Sequence, residues 1–266
     1  MVASGRKGEN RRLLTKIAQG GRDPSLTGPF VNPPVVHAST VLFGDVDSMR
    51  PGGQPYVYGR IGTPTTEALE SAIAELEGAE GAVICPSGLG AISAALLALL
   101  SSGDHLLMAD NVYDPARTLA TTLLARMGIE TTFFDPTIGA GVDSLMRETT
   151  RVVYLESPGS LTFEMTDIPA IAAAAHARGA LVVTDNTWAT PYFCRPLSLG
   201  ADVSLMAGTK YIGGHSDVMI GTVAAAPSAF AKIREAYVTL GLCVGPDDIF
   251  LALRGLRTLG VRLEHH

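Results

Sequence analysis

The 266-residue chain has only three cysteines, Cys85, Cys194 and Cys243, far apart and without a CxxC pairing. Such spacings build neither a disulfide framework nor a zinc site, so the three read as small core residues. Its six histidines include no HExxH or comparable ligand spacing, and no metal is implied. Long apolar runs are also missing. The longest, residues 91–100, is too short to span a bilayer and lies inside the chain, and nothing resembles a signal peptide. These absences imply no membrane partner and a reduced, cytoplasmic location. Basic runs are confined to Arg6-Lys7 and Arg11-Arg12, in a Gly-rich polar tail that reads as a solvated arm; with a net charge of -6 this argues against a nucleic-acid partner. Lysine is scarce: only Lys7, Lys16, Lys210 and Lys232 occur.

With 47% hydrophobic and 17% charged residues, the chain can bury a substantial core in one large domain, or in one domain with appendages. Residues 1–60 lack sustained periodicity and are broken by Asn32-Pro33-Pro34 and Arg50-Pro51-Gly52-Gly53. A segment this long is either disordered or packed on something, such as another subunit. From residue 64 the pattern becomes regular. Helices are predicted at 64–77, 91–100, 114–127, 142–148 and 168–178, with a further amphipathic helix after Pro227 and a last one at 250–263. Strands are predicted at 81–85, 105–109, 129–134, 152–155 and 180–184. Repeated βα units of this length imply an α/β fold with a mostly parallel sheet sandwiched by helices.

The chemistry gathers where apolar strands end. Strand 180–184 runs into Asp185-Asn186-Thr187-Trp188, and the apolar run after residue 202 ends in Thr209-Lys210-Tyr211. In an open α/β sheet ligands bind outside the carboxyl ends of the strands, so a carboxylate and an amine would face one crevice. That pair suits pyridoxal phosphate (PLP), which is held by a lysine amine and an acid at its pyridine nitrogen. Lys210 is the one lysine between an apolar strand and a glycine turn; it reads either as a solvated loop residue or as the cofactor lysine. Tyr113 and Glu156-Ser157-Pro158-Gly159-Ser160 follow two other strands. Ser87-Gly88-Leu89-Gly90 opens a helix, and reads either as a plain turn or as a phosphate site made of free N–H groups. Tyr58-Gly59-Arg60 reads either as surface packing or as an anion clamp.

Taken together and in order, Tyr58-Gly-Arg60, Ser87-Gly88, Tyr113, Glu156-Ser-Pro, Asp185-Asn-Thr and Thr209-Lys210-Tyr resemble the Cys/Met-metabolism family of fold-type I PLP-dependent enzymes, and most closely its cystathionine β-lyases. The resemblance runs from about Asn32 to Arg262. It implies that Lys210 is the Schiff-base lysine and acid/base, that Asp185 keeps the pyridine nitrogen protonated, and that Tyr113 stacks on the ring and assists proton transfer. Gly88, Leu89 and Thr209 would bind the phosphate, completed by Tyr58 and Arg60 from a neighbouring subunit, so a homodimer or homotetramer with shared sites is implied. The implied reaction is β-elimination of L-cystathionine or a related cysteine S-conjugate, an amino-acid substrate, in transsulfuration and methionine biosynthesis. A truncated PLP-binding or oligomerising protein without turnover, and a γ-lyase, are the alternatives. The domain organisation that follows is an arm at 1–60 packed on a neighbouring subunit, a PLP-binding large domain at 61–245, and at 246–266 the start of a helix leading to a small C-terminal domain that is absent. That domain carries the family's arginine for the substrate carboxylate. The terminal Leu263-Glu-His-His reads either as native or as a tag remnant.

Overall fold

The computed structural model describes residues 13–266; the basic tail lies outside them. In chain order the elements are α1 (Leu13–Gln19), α2 (Pro24–Thr27), α3 (Pro64–Glu77), β1 (Gly81–Cys85), α4 (Gly88–Leu99), β2 (His105–Ala109), α5 (Asp114–Leu119), β3 (Glu130–Phe134), β4 (Thr150–Glu156), α6 (Ile168–Ala177), β5 (Leu181–Asp185), α7 (Thr190–Phe193), β6 (Val203–Met206), β7 (Gly221–Ala225), α8 (Phe230–Thr239), α9 (Pro246–Leu256) and α10 (Leu259–His265). The strands form one sheet in the order β1-β7-β6-β5-β4-β2-β3. Pairings from β6 to β3 are parallel, whereas β7 runs antiparallel to both β1 and β6. It follows that β1, β2, β4, β5 and β6 all point their carboxyl ends at the same edge.

Alternation along β1 shows how the sheet is covered. Ala82 and Ile84 face a core formed with α1, α3, α9 and α10, which buries Ile17, Leu69, Ile73, Leu253 and Leu259. Val83 and Cys85 face the opposite core, built with α4, α5, α6 and α8. Local signals fix the helices that matter. In α3, Thr63 accepts the Thr66 N–H at 3.2 Å, Pro64 opens the first turn, and Gly78 ends the helix with φ 71°. In α4, Ser87 Oγ accepts the Gly90 N–H at 2.9 Å, so the helix begins at Gly88, three residues before its apolar stretch. Among the described residues no helix is long and apolar enough to cross a membrane.

The structure corrects several expectations. Residues 13–19 of the arm are helical and bury Ile17 against their own chain, held beside α3 and α10. The expected helix at 250–263 is two helices, because the chain turns at Arg257–Thr258. Leu256 and Leu259, on either side of that turn, are both buried, so the apolar spacing carries through the break. The segment Gly139–Leu145 forms a 3-10 helix in place of the expected 142–148 helix. The helix after Asp114 passes into a π-helical stretch at Ala120–Leu124. Of the cysteines, Cys85 is buried and Cys194 half-buried, but Cys243 is exposed and is no core residue.

One buried acid underlies the sheet. Glu77, at the end of α3, is 1% exposed; its Oε1 accepts from Ser204 Oγ of β6 at 2.9 Å, while Oε2 has no partner among the described residues. Burial pushes its carboxyl up to about 7, opposed by the Ser204 hydrogen bond and by the charge of Arg195. The folded-state value is raised, so Glu77 contributes most stability below the unfolded-state value and loses it as pH rises through 7. Glu77→Gln is expected to raise the urea midpoint at pH 8, by at most about 3 kcal/mol in stability, with the gain shrinking as pH falls toward 4.5. A gain unchanged across that range in denaturation curves sinks the assignment.

Candidate active site

Three strand ends set the floor of the site. Glu156 ends β4 opposite Asp185 at the end of β5, and Asp185 lies opposite Leu205 of β6. The chain leaves β6 through Ala207, whose N–H donates to Thr187 Oγ1 at 2.7 Å, joining the exits of β5 and β6. It then turns tightly: the Lys210 N–H donates to the Ala207 carbonyl at 3.0 Å and the Gly214 N–H to the Lys210 carbonyl at 2.9 Å. Lys210 is thereby presented to solvent at a cleft of about 1080 Å³.

The same cleft is lined by Gly88, Leu89, Tyr113, Asp185, Thr209 and Lys210, six of the residues singled out from the sequence. Helix α4 contributes its start. The Gly88 and Leu89 N–H groups donate to no protein acceptor among the described residues, and they open on the cleft. Gly88 also has to be glycine, since a Cβ there would stand 2.5 Å from the Ala207 Cβ. Thr209 lines the cleft, but its hydroxyl is tied to Ile220, accepting that N–H at 2.9 Å and donating to that carbonyl at 3.1 Å. Tyr58 and Arg60 are not brought to this cleft within the chain. Arg60 donates to the Val238 carbonyl at 2.9 Å and stacks 5.9 Å from the Tyr58 ring centre, while Tyr58 stays 42% exposed.

Electrostatically, the floor holds two acids and no paired base. Asp185 is 6% exposed and accepts the Thr187 N–H at 2.9 Å; Glu156 accepts the Tyr113 N–H at 2.7 Å. No Lys or Arg pairs with either among the described residues. Burial raises both carboxyls above the ordinary range, and for Glu156 the neighbouring Asp185 charge adds to it. A protonated ring nitrogen at Asp185 would relieve this, a phosphate suits the free N–H groups of α4, and a carbonyl is within the chemistry of the Lys210 amine. The residues present therefore fit PLP.

Several lining residues carried no site role in the sequence. Glu156 ends its apolar strand as Asp185 does, and that shared position was the available signal. Phe163 and Trp188 form an aromatic wall, ring centres 5.4 Å apart, with Tyr211 a further 6.3 Å from Trp188. Leu161 and Phe163 hold φ of 66° and 63°, a left-handed backbone costing L residues about 1–2 kcal/mol, in an irregular segment without periodicity to mark it. Arg262 of α10 also lines the cleft, but its guanidinium is committed to the Gly255 carbonyl at 2.8 Å and to Thr258 Oγ1 at 3.1 Å.

The family model described as Cys/Met metabolism PLP-dependent enzyme matches residues 14–266. A protein of Rhizobium johnstonii is 50% identical over 97% of this chain and 65% of its own length. A cystathionine beta-lyase of Bordetella avium is 45% identical over 96% of this chain and 66% of its own. Among solved structures, the cystathionine gamma synthase of Xanthomonas oryzae pv. oryzae, in complex with aminoacrylate and cysteine, is 35% identical with a TM-score of 0.88, covering 95% of this chain and 64% of that one. The chain thus spans about 65% of the length of these relatives. By its sequence over nearly its whole length, and by a cleft whose residues fit the cofactor, this chain belongs to the Cys/Met metabolism PLP-dependent enzymes.

Proposed function

We propose that the cleft binds PLP and serves β-elimination of L-cystathionine or a related cysteine S-conjugate. The observation that carries this reading is the meeting of Lys210, Asp185, Tyr113 and the start of α4 in one cleft. Its amino-acid specificity follows the cystathionine beta-lyase relative.

PLP, when bound, supplies an electrophilic carbon for the substrate amine and a ring that withdraws electrons from the substrate α-carbon. The protein does the rest. Lys210 would hold the cofactor through Nζ, and the same atom is the group placed to take the substrate's α-proton. Asp185, fixed by the Thr187 N–H, would accept a hydrogen bond from the ring nitrogen and keep it charged. Gly88 and Leu89 N–H groups anchor the phosphate at the positive end of α4. Tyr113, which lines the same cleft, would cover one ring face. Net, the Cβ–S bond breaks, the thiol leaves with a proton, and water converts the remaining fragment to pyruvate and ammonia; cystathionine gives homocysteine as the thiol.

Tyr58 and Arg60 reach the phosphate of a second copy in this reading. Supporting it, both lie outside their own cleft, and the surrounding arm exposes Phe30 (74%), Leu42 (86%) and Val46 (77%), an apolar strip suited to an interface. The C2 symmetry usual for such pairs would place two shared sites at that interface.

Borohydride reduction of the PLP-loaded chain followed by peptide mass analysis is expected to find the cofactor on Lys210, with none in Lys210→Ala. Attachment only to Lys16 or Lys232 sinks the reading. Incubation with L-cystathionine is expected to yield pyruvate, and Asp185→Ala is expected to lower that rate by about a hundredfold or more. Release of 2-oxobutyrate instead assigns γ-elimination, and no keto acid from a PLP-loaded chain assigns a binding protein without turnover. Arg60→Ala is expected to weaken PLP roughly tenfold to a hundredfold. Mixing Arg60→Ala with Lys210→Ala chains then restores up to about a quarter of the wild-type sites if they are shared in a dimer, and none if each chain is self-sufficient.

A further inference from the structure

Glu156 is placed where a carboxylate is electrostatically unwelcome. It lines the cleft in register with buried Asp185 on the adjacent parallel strand, and neither acid has a basic partner among the described residues. Two carboxylates side by side in a site of lowered dielectric repel, so an apolar side chain would fill this position at less electrostatic cost unless a hydrogen-bond acceptor is needed there. What Glu156 does have is one short hydrogen bond, Oε2 accepting the Tyr113 N–H at 2.7 Å across 43 residues of sequence.

That N–H is in an unusual position. Tyr113 sits at the N-cap of α5 without any side-chain cap, in extended backbone at φ -49° and ψ 127°, directly after the irregular segment that leaves β2. Its carbonyl belongs to α5, accepting from Ala116 at 2.8 Å and Arg117 at 3.3 Å. Its ring is 47% exposed, and its hydroxyl makes no protein hydrogen bond among the described residues. Nearby segments are tied elsewhere: Ser160 donates to the Asn111 carbonyl at 2.8 Å, and Arg117 to the Asp110 carbonyl at 2.8 Å. On Tyr113 itself, the only polar tie to the sheet is Glu156.

We propose that Glu156 is a positioning residue: by accepting the Tyr113 N–H at the end of β4, it sets where the Tyr113 ring stands over the cleft and so fixes it against the face of bound PLP. Through Glu156 the ring is referenced to the strand beside the one that carries Asp185. The two groups that meet the cofactor, one at its ring edge and one at its face, are therefore held to adjacent strands of one rigid sheet. This inference rests on the PLP reading of the cleft.

The test uses a reporter already in the protein. Trp188 is the single tryptophan of the chain and stands in the cleft wall, so PLP binding is expected to quench its fluorescence. Glu156→Asp keeps the charge but withdraws the acceptor by one methylene; Glu156→Gln keeps an oxygen in reach and removes the charge. PLP titration is expected to show Glu156→Asp weakened about tenfold or more and Glu156→Gln by no more than about threefold. In a Tyr113→Ala background, Glu156→Asp is expected to add no further loss, since its effect passes through Tyr113. Should Glu156→Asp fail to fold by circular dichroism, Glu156→Ala carries the same expectation. Wild-type affinity in Glu156→Asp, an equal loss in Glu156→Gln, or an undiminished loss in the Tyr113→Ala background each overturns the proposal while leaving the PLP reading intact. A wild-type chain that does not bind PLP overturns both.

Discussion

The register between β4, β5 and β6 is the constraint on which the cleft depends. Parallel pairing from Val152↔Leu181 to Glu156↔Asp185 brings two strands to an end at the same level, and Asp185↔Leu205 carries that level to β6. A slip of one residue would turn Asp185 toward the other face of the sheet and leave the crevice without its acid. The register is secured by burial on both faces, with Val152, Val153, Val182, Val183 and Val203 all fully enclosed. Rigidity of the floor is thus a by-product of the core, and the irregular exits above it inherit their positions.

Charge is distributed across the cleft in a way that anticipates one kind of ligand. The start of α4 offers uncompensated N–H groups at one end, and Asp185 with Glu156 offers excess negative charge at the floor. A dianionic phosphate and a cationic ring nitrogen on the same molecule answer both. Gly88 is what allows α4 to start this close to the exit of β6, because any larger residue would meet Ala207. Packing and electrostatics therefore converge on a single pair of contacts between α4 and the β6 exit.

Most regular elements were legible in the sequence because the local signals were complete. The 64–77 helix had Thr63-Pro64 at its start and Gly78 at its end, and the 81–85 and 105–109 strands were short apolar runs bounded by turns. Asp185, Lys210, Tyr113, Gly88, Leu89 and Thr209 sit at or just after apolar strands, which pointed to one edge of the sheet, but their roles came from the resemblance of the ordered motifs. Glu156 shared that position, yet its link to Tyr113 spans 43 residues and leaves no trace in local pattern. The break at Arg257–Thr258 was hidden because apolar periodicity continues through it. Likewise the antiparallel insertion of β7 between β1 and β6 is a matter of long-range pairing.

The sequence by itself determined the class of the fold, the kind of chemistry at the strand ends and the family to which the chain belongs, since periodicity, capping and ordered motifs are properties of neighbouring residues. Tertiary structure decided which strand ends meet, that Tyr58 and Arg60 stand apart from their own cleft, that α1 belongs to the chain's own core, and that Glu156, in register with Asp185, accepts the Tyr113 N–H. Those outcomes depend on the order of strands in the sheet and on burial between segments far apart in the chain, and both are settled only when the whole core closes.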